Sequence, residues 1–365
     1  MDSHAPHITA RQLADGIADA PLLDDGAAID TPLMVVDLTP GSDGVDDPEV
    51  LAAAARRAHQ ADRILLGVHR GPRPVGEGGG LTAITQSLDV TYTDDPDLGR
   101  NAHRSVVHAP DPDDAVTAFA ARVGANPQAS VVLRQVVRAG NGLDVPAAMD
   151  VESLAYSTLL GGPEFARWLA HRGPRPLPPT PTDDPVLTVR DGDELWVTLN
   201  RPERRNAYGA RLRDALTSAL IVATSDPSVS RVVLDGAGPS FCAGGDLDEF
   251  GTTPDLALAH LIRTRGGAGL LVHALAGRIE VRVHGACVGG GIEIPAFAGR
   301  VVASPDAWFR LPEVEMGLIP GAGGTASIPR RIGRWRAMHL FVTGARLDVG
   351  TALDWGLVDA VDTIH

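Results

Sequence analysis

Residues His284 to Thr325 read HGACVGGGIEIPAFAGRVVASPDAWFRLPEVEMGLIPGAGGT. The run holds a triple glycine, Gly289 to Gly291, with a glutamate, Glu293, two residues on. A second carboxylate, Glu313, follows twenty residues later in Leu-Pro-Glu, and another glycine cluster closes the run. Glycines let backbone N–H groups come close to a ligand, because no Cβ stands in the way. A helix beginning at the triple glycine would add unpaired N–H groups that favour negative charge. Two glutamates beside such donors are equipped for acid–base chemistry next to a developing oxyanion.

Three further motifs surround this run. They are Leu199-Asn-Arg-Pro-Glu-Arg-Arg-Asn-Ala, Ser240-Phe-Cys-Ala-Gly-Gly-Asp-Leu, and Ala337-Met-His-Leu-Phe-Val-Thr-Gly-Ala-Arg followed by Ala352-Leu-Asp-Trp-Gly-Leu-Val-Asp. In order and spacing the set resembles the crotonase (enoyl-CoA hydratase/isomerase) superfamily over roughly residues 185 to 362. The resemblance implies an α/β fold: a crotonase-type ββα spiral core, with an additional α/β and helical region N-terminal to it.

Composition narrows the function classes. A chain of 365 residues with 44% hydrophobic and 21% charged residues is long enough for one large or two ordinary globular domains. A net charge of −14 argues against nucleic acid or an anionic membrane as a general partner. The sequence contains no lysine, which excludes a Schiff-base lysine and a Walker-type phosphate loop. Cys242 and Cys287 make no disulfide framework, so a reducing cytoplasm is the expected setting. Each thiol reads either as small buried filler or as a reactive group. No His/Cys/carboxylate cluster has ligand spacing, so no metal site is expected. No apolar run approaches membrane-spanning length, and the N-terminus lacks the order of a secretory signal.

Along the chain, residues 1–30 read as a polar lead-in with one short helix. Leu33 to Leu38 and Ile64 to His69 read as strands around a helix at Glu49 to Ala61. Glu77 to Gly80 starts a loop before a helix near Leu81 to Leu88, and Val90 to Thr93 is a short strand. From Asp113 to Arg172 the pattern is helical, at 114–123, 127–138, 149–160 and 163–171. The segment from Val151 to Arg172 is similar to the crotonase C-terminal tail, with a glutamate in mid-helix, yet here it precedes the catalytic motifs. Residues 31–172 therefore read as a diverged crotonase-like half that keeps its tail-like helices (113–172), or as an unrelated α/β domain. A Pro-rich linker at 173–184 separates it from a crotonase catalytic core at 185–365.

The resemblance assigns roles residue by residue. Glu293 and Glu313 stand where hydratases of the family carry their catalytic glutamates, which hold water for addition to the β-carbon and protonate the α-carbon. The N–H groups of Gly245 and Gly290 stand at the two oxyanion positions. Ala243, Gly244, Asp246 and Leu247 fall in the loop that cradles coenzyme A. Arg204 and Arg205 are either ligands of its phosphates or ordinary surface arginines. No permanently bound cofactor is implied; coenzyme A enters as part of the substrate.

Some residues depart from the family pattern. Pro295 sits one turn past the triple glycine, where it removes a helix donor. Arg310 precedes Leu-Pro-Glu and has three readings: it lowers the acidity of Glu313 as a proton donor, binds a polar acyl group, or points outward. His284 reads as a hydrogen-bonded structural histidine. The leading expectation is hydration of an enoyl-CoA. Isomerisation, hydrolysis or decarboxylation of an acyl-CoA on the same fold, and a non-catalytic scaffold subunit, are the alternatives. A cofactor-independent dioxygenase of the superfamily is disfavoured because it lacks the second glutamate. The family's use of its tail implies a closed homo-oligomer, a trimer or dimer of trimers.

Overall fold

A computed structural model describes residues 5–71, 79–97, 104–177 and 183–363. The described chain forms two compact units. One comprises residues up to Gln135 together with Ile332–Thr343, and the other Val136–Arg331 with Gly344–His365. Both are mixed α/β, as the sequence implies. Among the described residues no helix is long and apolar enough to cross a membrane.

The first unit is built on a parallel sheet whose strands lie in sequence order: β1 (His7–Thr9), β2 (Leu33–Asp37), β3 (Ile64–His69), β4 (Val90–Thr93) and β5 (Val106–His108). β3 is buried at every residue and β2 at all but the last. Such apolar strands fit a parallel sheet covered on both faces. The helix Pro48–Gln60 crosses from β2 to β3, and the helix Gly79–Ser87 from β3 to β4. Asp47 caps the first of these by accepting from the N–H groups of Glu49 and Val50, with Pro48 in the first turn. Asp111 and Pro112 repeat the device at the helix Pro112–Ala125.

Two placements correct the sequence reading. Residues 5–30 are not a loose lead-in. His7 to Thr9 pair with Val35 to Asp37, Thr9 and Gln12 form a reciprocal cap on the helix Ala10–Ala14, and Ile8, Ala10, Leu13 and Ala18 enter the core. Apolar residues spread thinly among Asp and Ala gave no clean period, which is why the stretch reads as polar. The helix Arg334–Thr343 does not join the C-terminal unit. It packs against β4, β5 and the Pro112–Ala125 helix, where His339 Nδ1 lies 2.7 Å from the Tyr92 hydroxyl. Burial of Ala337, Met338, Leu340, Phe341 and Val342 explains the placement.

The second unit holds a six-stranded sheet of β6 (Val186–Asp191), β7 (Glu194–Leu199), β8 (Arg231–Gly236), β9 (Ile279–Val283), β11 (Arg300–Ala303) and β14 (Ala360–Val361), again in sequence order. A smaller sheet joins β10 (Ala286–Val288), β12 (Trp308–Arg310) and β13 (Leu347–Asp348). β6 and β7 form an antiparallel hairpin, and the remaining neighbours of the large sheet are parallel. β10 and β12 are parallel, with Ala286 opposite Trp308 and Val288 opposite Arg310. Their C-terminal ends therefore deliver Gly289 and Leu311 side by side, which is what brings the two glutamate motifs together.

The helices Val145–Leu160 and Pro163–Arg172, which precede the core motifs in sequence, belong to this second unit. Ser157 donates its hydroxyl to the Leu256 carbonyl (2.9 Å), and Arg263 donates to the Ser153 hydroxyl (3.0 Å). Phe165 and Trp168 pack on Phe250, and Arg172 donates to the carbonyls of Leu247 and Phe250. These two helices thus clasp the loop after Phe241. Part of the Pro-rich linker, 178–182, and the glycine-rich stretch through Gly78 lie outside the described residues.

Candidate functional site

The site grows from one backbone distortion. Gly289 leaves β10 with φ +50°, and its N–H donates to the Arg310 carbonyl at 2.9 Å. That left-handed turn starts the short helix Gly290–Glu293 and swings Glu293 inward. Close approach fixes the next glycine: a Cβ at Gly291 would sit 2.2 Å from the Cys242 carbonyl oxygen. Pro295 then opens a 3-10 turn, so the helix ends after one turn, as its position predicts.

Both sequence-predicted glutamates are buried, Glu293 at 2% exposure and Glu313 at 8%. They converge beside Gly289, where a Cβ would lie 2.7 Å from Glu313 Oε1 and 3.6 Å from Glu293 Oε1. Any side chain there would fill the space between the carboxyl groups. Their surroundings differ. Glu293 Oε2 accepts the N–H groups of Ala322 (2.7 Å) and Gly324 (2.9 Å). Glu313 Oε2 is buried with no hydrogen-bond partner among the described residues. Burial pushes Glu293 up to about 7, against the pull of those N–H groups. Burial, reinforced by the Glu293 charge, raises Glu313 well above the ordinary carboxyl range. The pair therefore combines a carboxylate stabilised by fixed donors with a carboxyl that holds its proton, the division of labour an acid–base pair requires.

Arg310 does not set this chemistry. Its guanidinium donates to the Gly344 carbonyl (2.8 Å) and to Glu315 Oε1 (2.9 Å), so the outward reading holds and its lowering effect on Glu313 is outweighed by burial. His284 accepts the structural role, with Nε2 2.9 Å from the Gly238 carbonyl. Cys242 and Cys287 are free and buried, and burial pushes the Cys242 thiol up to about 12. They are filler rather than nucleophiles. Among the described residues no group of three or more His, Cys, Asp or Glu is arranged to hold a metal ion.

The loop Phe241 to Leu247 runs beside the triple glycine. Val288 donates to the Cys242 carbonyl at 3.0 Å, and a Cβ at Gly244 would meet the Val288 oxygen at 3.2 Å. The N–H groups of Gly245 and Gly290 have no acceptor among the described residues. Ala243 donates to the Arg205 carbonyl, and Leu247 is 39% exposed. Arg204 departs from the role of a free phosphate ligand. It reaches Asp246 Oδ1 at 2.6 Å and Asp248 Oδ2 at 2.7 Å, so two carboxylates already neutralise it. Arg205 has an exposed side chain and left-handed φ. Replacing Arg204 with alanine leaves the buried Asp246 carboxylate without its cation. We expect a stability loss of about 3 kcal/mol, read by thermal or urea unfolding, in addition to any change in ligand affinity.

Sequence reasoning missed three residues of the site. Glu152, on the Val145–Leu160 helix, is 2% exposed and sits in the loop that holds Glu293. Tyr156, one turn on, lies against Gly321, where a Cβ would meet its ring at 2.5 Å. Tyr208 lies against Gly290, whose Cβ would stand 3.7 Å from the ring. The tail resemblance places a glutamate in mid-helix but gives it no role, and nothing local marks either tyrosine.

Comparison with known proteins supplies the family. A family model described as enoyl-CoA hydratase/isomerase matches residues 195–364. The chain is 32% identical over 182 residues to a probable enoyl-CoA hydratase of Mycobacterium tuberculosis (strain CDC 1551 / Oshkosh), covering 49% of this chain and 69% of the relative. It is 36% identical over 176 residues to the 2,3-dehydroadipyl-CoA hydratase of Escherichia coli (strain K12), covering 48% and 68%. Among solved structures, a carnitinyl-CoA dehydratase from Mycobacterium avium 104 is 37% identical, covering 50% of this chain and 71% of that one, with a TM-score of 0.44.

Proposed function

Because this chain belongs to the enoyl-CoA hydratase/isomerase family, we propose that it adds water across the double bond of an enoyl-CoA thioester. The observation that carries this reading is the convergence of two buried carboxyl groups of unlike environment beside Gly289. An isomerase needs only one of them.

In the proposed mechanism Glu293, held by two N–H donors, takes a proton from water as its oxygen bonds to the β-carbon. The π electrons move toward the thioester oxygen, where the N–H groups of Gly245 and Gly290 meet the developing charge. Glu313, protonated in its donor-poor site, delivers a proton to the α-carbon. The loop from Ala243 and Gly244 to Asp246 and Leu247 carries the coenzyme A portion, with Arg205 the freer of the two arginine candidates for its phosphates. No other cofactor enters. We place the enzyme in the cytoplasm as a homo-oligomer, a trimer or dimer of trimers, a state that sedimentation would read directly.

The test is hydration of crotonyl-CoA followed by loss of enoyl-thioester absorbance. Saturable hydration by the wild-type protein, lost in Glu313→Gln, supports the proposal. An unreactive wild type that still binds the thioester would refute it for this substrate and move the search to other acyl groups.

A further inference from the structure

Four consecutive N–H groups near the start of the helix Gly324–Ile332 are divided between two buried carboxylates from different parts of the chain. Ala322 and Gly324 donate to Glu293 Oε2 at 2.7 and 2.9 Å. Gly323 donates to Glu152 Oε1 at 2.7 Å, and Thr325 donates to Glu152 Oε2 through both its N–H and its hydroxyl, each at 2.7 Å. A helix start presents unpaired donors and a positive dipole end, which is why two carboxyl groups can be buried there. The alternation has a mechanical consequence: the loop cannot rotate its even-numbered N–H groups away from Glu293 without pulling its odd-numbered ones from Glu152.

We propose that Glu152 is a positioning residue for the catalytic pair. By fixing Gly323 and Thr325 it holds the loop that aims Glu293 Oε1 at the space beside Gly289 and Glu313. This rests on the hydratase reading for its catalytic consequence, and on the hydrogen bonds alone for its structural one. Glu152 lies on the helix Val145–Leu160, whose start is fixed by Asp144 accepting from the Ala147 N–H at 2.9 Å. A helix far upstream of the catalytic motifs thereby completes the site's support within the same chain.

The charged and titratable groups around this carboxylate are Glu293, Glu313, Tyr156 on its own helix, and Arg263 on the helix Leu256–Arg265. Arg263 makes no ion pair with it; its Nε and Nη2 donate to Ser153 and Ser157. The like charge of Glu293, added to burial, raises Glu152.

The test compares wild type, Glu152→Gln and the milder Thr325→Val, which removes only the hydroxyl donor. Backbone amide exchange of Ala322 and Gly324 is measured by NMR, and crotonyl-CoA hydration across pH in parallel. In Glu152→Gln we expect exchange at those two amides to rise about tenfold or more, with distant core amides unchanged. We expect kcat to fall about 10- to 100-fold with KM within about threefold. The acid limb of kcat should move to higher pH, because loosened N–H groups of Ala322 and Gly324 no longer hold Glu293 down. Thr325→Val should give a smaller change in the same amides. Unchanged exchange at Ala322 and Gly324, or a Glu152→Gln protein that loses stability while its kcat and pH limb stay at wild-type values, would overturn the proposal. A wild type inactive on every enoyl thioester would overturn the hydratase reading instead, and the exchange data would still decide the role of Glu152.

Discussion

Replacing Glu313 with glutamine is expected to lower enoyl-CoA hydration by about 10²- to 10⁴-fold, the range for a lost general acid. The same change should stabilise the fold. Glu313 Oε2 is buried without a partner, and burial with the Glu293 charge raises its proton affinity. Its folded-state pKa lies above the ordinary glutamate value of 4.5, so the folded protein binds an extra proton. The stability linked to that proton is fully present below the unfolded value and is lost as pH rises through the folded one. Glutamine keeps the shape and removes the titration. The gain should therefore be small near pH 5 and reach about 1–3 kcal/mol in weakly alkaline buffer. Thermal melts at both pH values check this, at roughly 2–4 °C per kcal/mol. Equal melting temperatures at alkaline pH would show that Glu313 is solvated or paired.

The second large effect concerns a backbone donor. Gly290→Pro removes one N–H that has no acceptor among the described residues, at the first helical position, where proline is tolerated. The nearest atoms to a Cβ there, from Ala322 and Tyr208, stand 3.6 and 3.7 Å away, which is ordinary contact. Folding should survive, with melting shifted by no more than a few degrees. The expected loss in kcat is about 10²- to 10³-fold, the value of one oxyanion donor. A folded Gly290→Pro protein with wild-type kcat would mean that this N–H faces no developing charge.

The parts of this site that were legible in the sequence are those whose local pattern is tied to one physical demand. Gly289 and Gly291 are glycine because the first turns left-handed and the second presses on the Cys242 carbonyl. Pro295 ends the helix where its missing N–H requires. Strands β2 and β3 were legible from their apolar runs, whereas the helices capped by Asp47 and Asp111 begin at Pro48 and Pro112, slightly before the expected Glu49 and Asp114. What escaped depends on contacts between distant segments. Arg204 looks like a free cation until the fold places Asp246 and Asp248 on it. Glu152 looks like any helical glutamate until the N–H groups of Gly323 and Thr325, 171 and 173 positions away, are seen to donate to it. The helix Arg334–Thr343 carries apolar residues whose destination, the sheet that contains Tyr92, no local period specifies.

If two glutamates add water to an enoyl thioester, the oxygen of that water stays in the product. The protein is incubated with a panel of enoyl-CoA esters in ¹⁸O-labelled water and the products are analysed by mass spectrometry. The expected product is 3-hydroxyacyl-CoA carrying the label at the β-hydroxyl, formed by wild type and suppressed in Glu293→Gln and Glu313→Gln. Products that carry no label and differ only in double-bond position, or labelled free acids with released coenzyme A, would contradict that addition.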